Sequence, residues 1–143
     1  MPIHKMNYDD GIFFSKTVGY VDNVDGRMWS NALRNYAKND MYVLSAVIDM
    51  VEVNRICPTV IKAIAEAARI PNIGAIAIVI DSSMSSQNVR VIEKLADLSN
   101  VRVFFSFEDA RRYAGSRLTA SVGSSAFAGM SVARAFSYSY AFA

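Results

Sequence analysis

The 143-residue chain has one cysteine, one histidine, one tryptophan and three prolines. Each scarcity excludes something. A single cysteine, Cys57, forms no internal disulfide, and one cysteine with one histidine, His4, cannot build a standard structural zinc site; no metal and no cofactor are expected. No apolar run approaches the roughly 18 residues of a membrane-spanning helix. The N-terminus, MPIHKMNYDDG, has no apolar signal core, which points to a reduced, cytoplasmic setting. Charge of one sign is also lacking. Fifteen Lys and Arg against thirteen Asp and Glu leave +2, scattered rather than clustered, which argues against a nucleic-acid partner. Phosphate-gripping motifs are missing too: "GSSAFAGMS" at 123–131 lacks the lysine such a loop requires, and no G-x-G-x-x-G occurs.

What is present is an alternation of two periods. With 52% hydrophobic residues the chain can bury one core. Residues 3–8 and 12–21 flank Asp9-Asp10-Gly11, the pattern of an N-terminal hairpin. Met28, Trp29, Ala32, Leu33, Tyr36 and Ala37 form one helical stripe over 25–38, capped by Asp25, which puts Trp29 and Tyr36 in the core. Tyr42–Ile48 reads as a strand covered on both faces. A helix over 57–69 opens on Pro58 and is stopped by Pro71. Ile73–Ile80 is the next strand, followed by Asp81-Ser82-Ser83 and an amphipathic helix at 86–98. Val101–Phe105 is the last strand, and Ser106 with Asp109 opens a final helix that ends at Gly115. The sum is an α/β fold: a mixed, mostly parallel sheet of about five strands with helices packed on it.

The order of these elements, with "VLSAVIDMVEVNRICPTVIKAI", "IAIVID" and "VRVFFSFEDARRYA", resembles the STAS family of sulphate transporters and anti-sigma factor antagonists, in its divergent bacterial branch. The resemblance covers about residues 3–118, taken as one domain of 1–118. It implies a regulatory domain with a protein partner. Family members carry an aspartate at the end of the second core strand and then an Asp-Ser-Ser-Gly turn, whose serine opens the next helix and is phosphorylated by a partner kinase. Asp49 matches that aspartate. Cys57, Pro58, Thr59 and Val60 occupy the turn, and none of the four agrees with it.

Three site readings follow. Thr59 offers a hydroxyl at a helix mouth, where a phosphate would meet unpaired N–H groups and the positive end of the helix dipole; the plainer alternative is that Pro58 and Thr59 only start a helix. Cys57 would have a lowered thiol pKa there, yet no base is placed near it, and His4 lies on a probable edge strand. Asp81, Ser82 and Ser83 imitate the family turn one repeat too late; they read as caps for the next helix, with a ligand rim shared with Asp49 as a secondary possibility. The acids Asp49, Glu52, Asp81 and Glu93 read as caps or solvated positions.

Residues 119–143 form a separate tail. Thirteen of the 25 are Ala or Ser and only Arg134 is charged. Phe136, Tyr138, Tyr140 and Phe142 alternate with small residues, so an extended strand carries all four rings on one face. A bare strand of this kind invites pairing, so the tail is expected to dock on a sheet edge or apolar patch, on its own or a neighbouring subunit, giving a possible homo-oligomer. Disorder at a terminus is the alternative. The expected function is a non-catalytic regulatory or scaffolding domain that binds a protein through the mouth of the 57–69 helix. The alternative is a binder of small apolar or anionic, lipid-like ligands.

Overall fold

The structure, a computed structural model of the chain, describes residues 3–39 and 42–121. β1 (Ile3–Asp9) and β2 (Ile12–Val21) form the expected hairpin. Its turn needs positive φ at two consecutive residues, and Asp10 (48°) and Gly11 (84°) supply them, the combination that twists with a β-ribbon. Then follow α1 (Asn23–Asn39), β3 (Leu44–Ile56), α2 (Pro58–Ala68), β4 (Ile73–Val79), α3 (Ser86–Glu93), β5 (Val101–Phe104) and α4 (Phe107–Ser121). The five strands lie in the order β1-β2-β3-β4-β5; β1 and β2 are antiparallel and the other pairs parallel. The expected mixed, mostly parallel sheet is what the chain forms.

Helices cover both faces, unequally. On one face Trp29 and Leu33 of α1, Ile61 and Ile64 of α2, and Ile92 of α3 pack on Phe13, Ile48, Ile76 and Ile78. On the other, α4 alone lays Ala110, Ala114 and Leu118 over Ile12, Val47, Ala77 and Val79. Burying side chains of this size stabilises by about 1.5–3 kcal/mol each, so the larger cluster dominates the fold. α1 packs closely on α2 at Gly26, where a Cβ would stand 3.4 Å from the Cα of Val60, in contact with it.

Several expected boundaries are corrected. Asp22, not Asp25, is the residue before α1. The two exchange bonds, the Asp22 N–H donating to Asp25 Oδ2 (2.9 Å) and the Asp25 N–H to Asp22 Oδ1 (3.1 Å), a reciprocal cap with acid in place of hydroxyl. The Asp25 N–H, with the Asp25 side chain after it, holds the Asp22 carboxyl below its ordinary pKa, whereas burial raises that of Asp25. α3 ends at Glu93 rather than 98, because Leu95 N–H turns back to Ile92 C=O in a tighter three-residue step. α4 does not stop at Gly115. Leu118, 1% exposed, anchors the next turn, and tertiary burial overrides the propensity of a glycine. Trp29 is in the core, but Tyr36 is 38% exposed and stacks on Tyr8 at its margin, ring centroids 4.5 Å apart.

The largest correction concerns β3. The strand expected to end at Ile48 runs on to Ile56. Two β-bulges explain why it did not look like a strand. Lys16 and Val18 of β2 face Asp49 and Glu52, and Gly19 and Tyr20 face Val53 and Arg55, so β3 gains one residue twice. Each insertion resets the alternation, which lets Met50, Val53 and Ile56 all reach the core at a spacing of three.

Candidate functional site

The mouth of α2 lies at the end of the two longest strands. Val21 pairs with Ile56, and the Cys57 N–H donates to the Val21 carbonyl at 2.9 Å, so β2 and β3 end together. Cys57 is the cap residue, extended at φ −71° and ψ 134°, with Pro58 in the first helical turn where its missing N–H leaves no acceptor unmet. Its side chain makes no capping hydrogen bond to the helix backbone. Instead Cys57 Sγ lies 3.1 Å from Thr59 Oγ1. The Thr59 hydroxyl and backbone N–H together hold the thiol below its ordinary pKa, with a smaller contribution in the same direction from Tyr20, while partial burial and the charge of Asp22 act the other way. Cys57 is half-buried; Pro58 and Thr59 are exposed.

Around them the surface is mixed. Tyr20 and Val24 are about half exposed, at 47% and 51%, and the Arg55 guanidinium stands 5.5 Å from the Tyr20 ring centroid. Val24 precedes Gly26, whose backbone abuts Val60 of α2, so the starts of both helices share this end of the molecule. A rim with apolar rings, a hydroxyl and a cation can contact another protein.

Asp49 is not part of this rim. It lies in mid-strand, eight residues or roughly 25 Å before Cys57 along β3. One carboxylate oxygen accepts from the Val51 N–H at 3.0 Å, so the side chain caps the first bulge. Beside it, Lys16 pairs with Glu52, which raises the lysine pKa. Asp49 faces the α4 side, in an open cleft of about 360 Å³ lined also by Lys5, Lys16, Phe14, Phe107 and Arg111. The expected grouping of Asp49 with Cys57, Pro58 and Thr59 is thus two separate places, the middle of β3 and its end.

Asp81, Ser82 and Ser83 lie in the loop after β4. Ser83 Oγ donates to the Asp81 carboxylate, and the helix cap is Ser85, whose Oγ accepts from the Asn88 N–H at 3.3 Å. The caps expected at 81–83 therefore serve their own loop. Asp81 follows Val79, the partner of Asp49, by two residues, yet it does not line the cleft that Asp49 faces. Phe136, Tyr138, Tyr140 and Phe142 lie outside the described residues. Among the described residues no three His, Cys, Asp or Glu side chains gather as metal ligands. Among the described residues no helix is long and apolar enough to cross a membrane.

Sequence reading missed Asn88. β4 pairs with β3 only as far as Asp49, so the second half of β3 has no strand on that side. Asn88, 4% exposed on α3, fills the gap: its Oδ1 accepts from the Ile56 N–H (3.2 Å) and its Nδ2 donates to the Asn54 carbonyl (2.8 Å). A side-chain amide thus stands in for a strand and fixes the α2 mouth from behind. The only hint was a polar residue beside the apolar stripe of the helix.

No family model matches the chain, and no curated protein matches it by sequence. Solved structures do. An anti-sigma factor antagonist from Mycobacterium paratuberculosis aligns with a TM-score of 0.57 at 14% identity, over 77% of this chain and 91% of that one. An uncharacterised protein with a SpoIIAA-like fold from Shewanella loihica PV-4 aligns at 0.51 and 14%, over 77% and 90%. The fold is therefore STAS-like, as the sequence resemblance implied.

Proposed function

We propose that the chain is a non-catalytic regulatory or scaffolding domain that docks a protein partner on the rim at the mouth of α2. The observation that carries this reading is the clustering of exposed Tyr20, Val24, Pro58 and Thr59 at one end of the two longest strands, on a backbone held rigid by Asn88. A preorganised, partly apolar rim favours association because little ordering entropy is lost on binding. The likeness to an anti-sigma factor antagonist supports the same class of role. Cytoplasmic location belongs to the proposal, in keeping with the single thiol.

Thr59 is the phosphoacceptor in this proposal, its hydroxyl exposed in the first turn of α2. The test is recovery of partners by wild type, Tyr20→Ser/Val24→Ser, Thr59→Ala and Thr59→Asp, each with its circular dichroism recorded. The expected result is loss of the principal partner in the double variant and opposite changes in the two threonine variants. Equal recovery by the two threonine variants removes the phosphate switch; equal recovery by the folded double variant removes the docking rim.

A second reading, binding of a small anionic or apolar ligand, is favoured by the cleft over β1–β3, where Lys5, Lys16 and Arg111 stand beside Phe14 and Phe107. A ligand copurifying in native mass spectrometry would support it.

A further inference from the structure

The two edges of the sheet differ. β1 presents Lys5, Asn7 and Asp9 on one side, and charges along an edge are a common guard against further pairing. β5 is guarded on one face only, by Arg102, whose guanidinium lies over the Tyr113 ring of α4. Ile76 N–H bonds to the Asn100 carbonyl and Ile80 N–H to that of Phe104, so Asn100, Arg102 and Phe104 turn their backbone groups toward β4. Within β5 the alternate residue Val103 turns its backbone groups outward, and Phe105 follows directly after the strand. Their side chains are exposed as well, Val103 at 41% and Phe105 at 72%, on the face that carries α3. Between them and Ile92, Leu95 and Leu98 lies an open cleft of about 540 Å³. An outward backbone edge and an apolar trough side by side ask for a strand whose rings all lie on one face.

The sequence has one matching pattern, the rings of residues 136–142 alternating with small residues. We propose that residues 136–142 add to the outer edge of β5 as an antiparallel strand of the same molecule, with the rings of Phe136, Tyr138, Tyr140 and Phe142 in the trough beside α3. Ser137, Ser139 and Ala141 then face the α4 side, where small residues meet the exposed Arg102. Direction follows from topology. α1, α2 and α3 pack on one face and α4 on the other. A parallel return from α4 to the far side of β5 would reverse the hand of the preceding crossovers, a rare arrangement; an antiparallel strand is under no such rule. Reach is sufficient. Arg117 Nε donates to the Gly74 carbonyl, so α4 finishes at the end where the strands begin. Residues 122–135 span up to about 46 Å extended, twice the roughly 22 Å length of α4 that they must retrace.

Hydrogen exchange on the full chain tests this, with Val103→Lys/Phe105→Lys and Tyr138→Ser/Tyr140→Ser alongside and mass measured at each concentration. Amides within 138–142 are expected to exchange at least about tenfold slower than random coil in the wild type. Either double variant is expected to abolish that protection, leaving the β3 core unchanged and the mass that of one chain. Coil-like exchange in the wild type, or protection that survives the β5 lysines, overturns the proposal. So does protection that vanishes on dilution together with a dimer, which would assign the strand to a second copy.

Discussion

The two halves of β3 are one strand with two kinds of environment. Leu44–Ile48 is fully enclosed: β2 and β4 lie on either side, α1 and α2 below, α4 above, and all five residues are buried. Met50–Ile56 has a strand on one side only, carries two bulges, and exposes Val51, Glu52, Asn54 and Arg55. The first half holds the fold together by burial. The second half places the α2 mouth, and the hydrogen bonds of Asn88 add to the burial of Met50, Val53 and Ile56 in fixing its position. A strand that outruns its sheet thus needs a partner that is not a strand, and Asn88 is that partner.

The largest expected effect comes from the enclosed half. Leu44→Ala is expected to cost about 2–5 kcal/mol, because the side chain is wholly buried and a cavity would remain. Urea unfolding measures it, and a loss under about 1 kcal/mol would show that this half is less tightly packed than its burial implies.

Asn88→Ala separates the halves more sharply. It leaves the Ile56 N–H and the Asn54 carbonyl without their partner, an expected loss of about 1–3 kcal/mol. Hydrogen exchange should quicken at 54–57 while 44–48 stays protected; uniform acceleration along β3 would show that the two halves open as one unit.

The smallest effect is local and leaves stability aside. Because the Thr59 hydroxyl helps to lower the Cys57 thiol pKa, alkylation of Cys57 should begin at lower pH than for an ordinary thiol. Thr59→Val should move that onset upward, since the thiolate loses a donor. An unchanged rate–pH profile would show that the hydroxyl does not reach the sulfur in solution.

The course of the chain was largely legible beforehand. Trp29, Leu33, Ile61, Ile64 and Ile92 recur at helical spacing, Ile73–Val79 is an unbroken apolar run, and Asp10-Gly11 names its own turn. The candidate site was legible in part. Pro58 marked the α2 mouth correctly, but a spacing of three at Met50, Val53 and Ile56 fits no regular strand, so the strand was cut short and Asp49 was assigned to its end rather than its middle. A bulge appears only when two strands are laid side by side, and one strand's letters do not carry its partner's register.

Periodicity and turn chemistry are properties of neighbouring residues, and they were enough to determine an α/β chain with a hairpin, four helices and a mostly parallel sheet. Where β3 stops, which acid sits beside the thiol, and what closes the backbone bonds at 54–56 depend on residues more than thirty positions apart. Those pairings exist only once the chain is packed, because only then must every buried N–H and carbonyl find a partner.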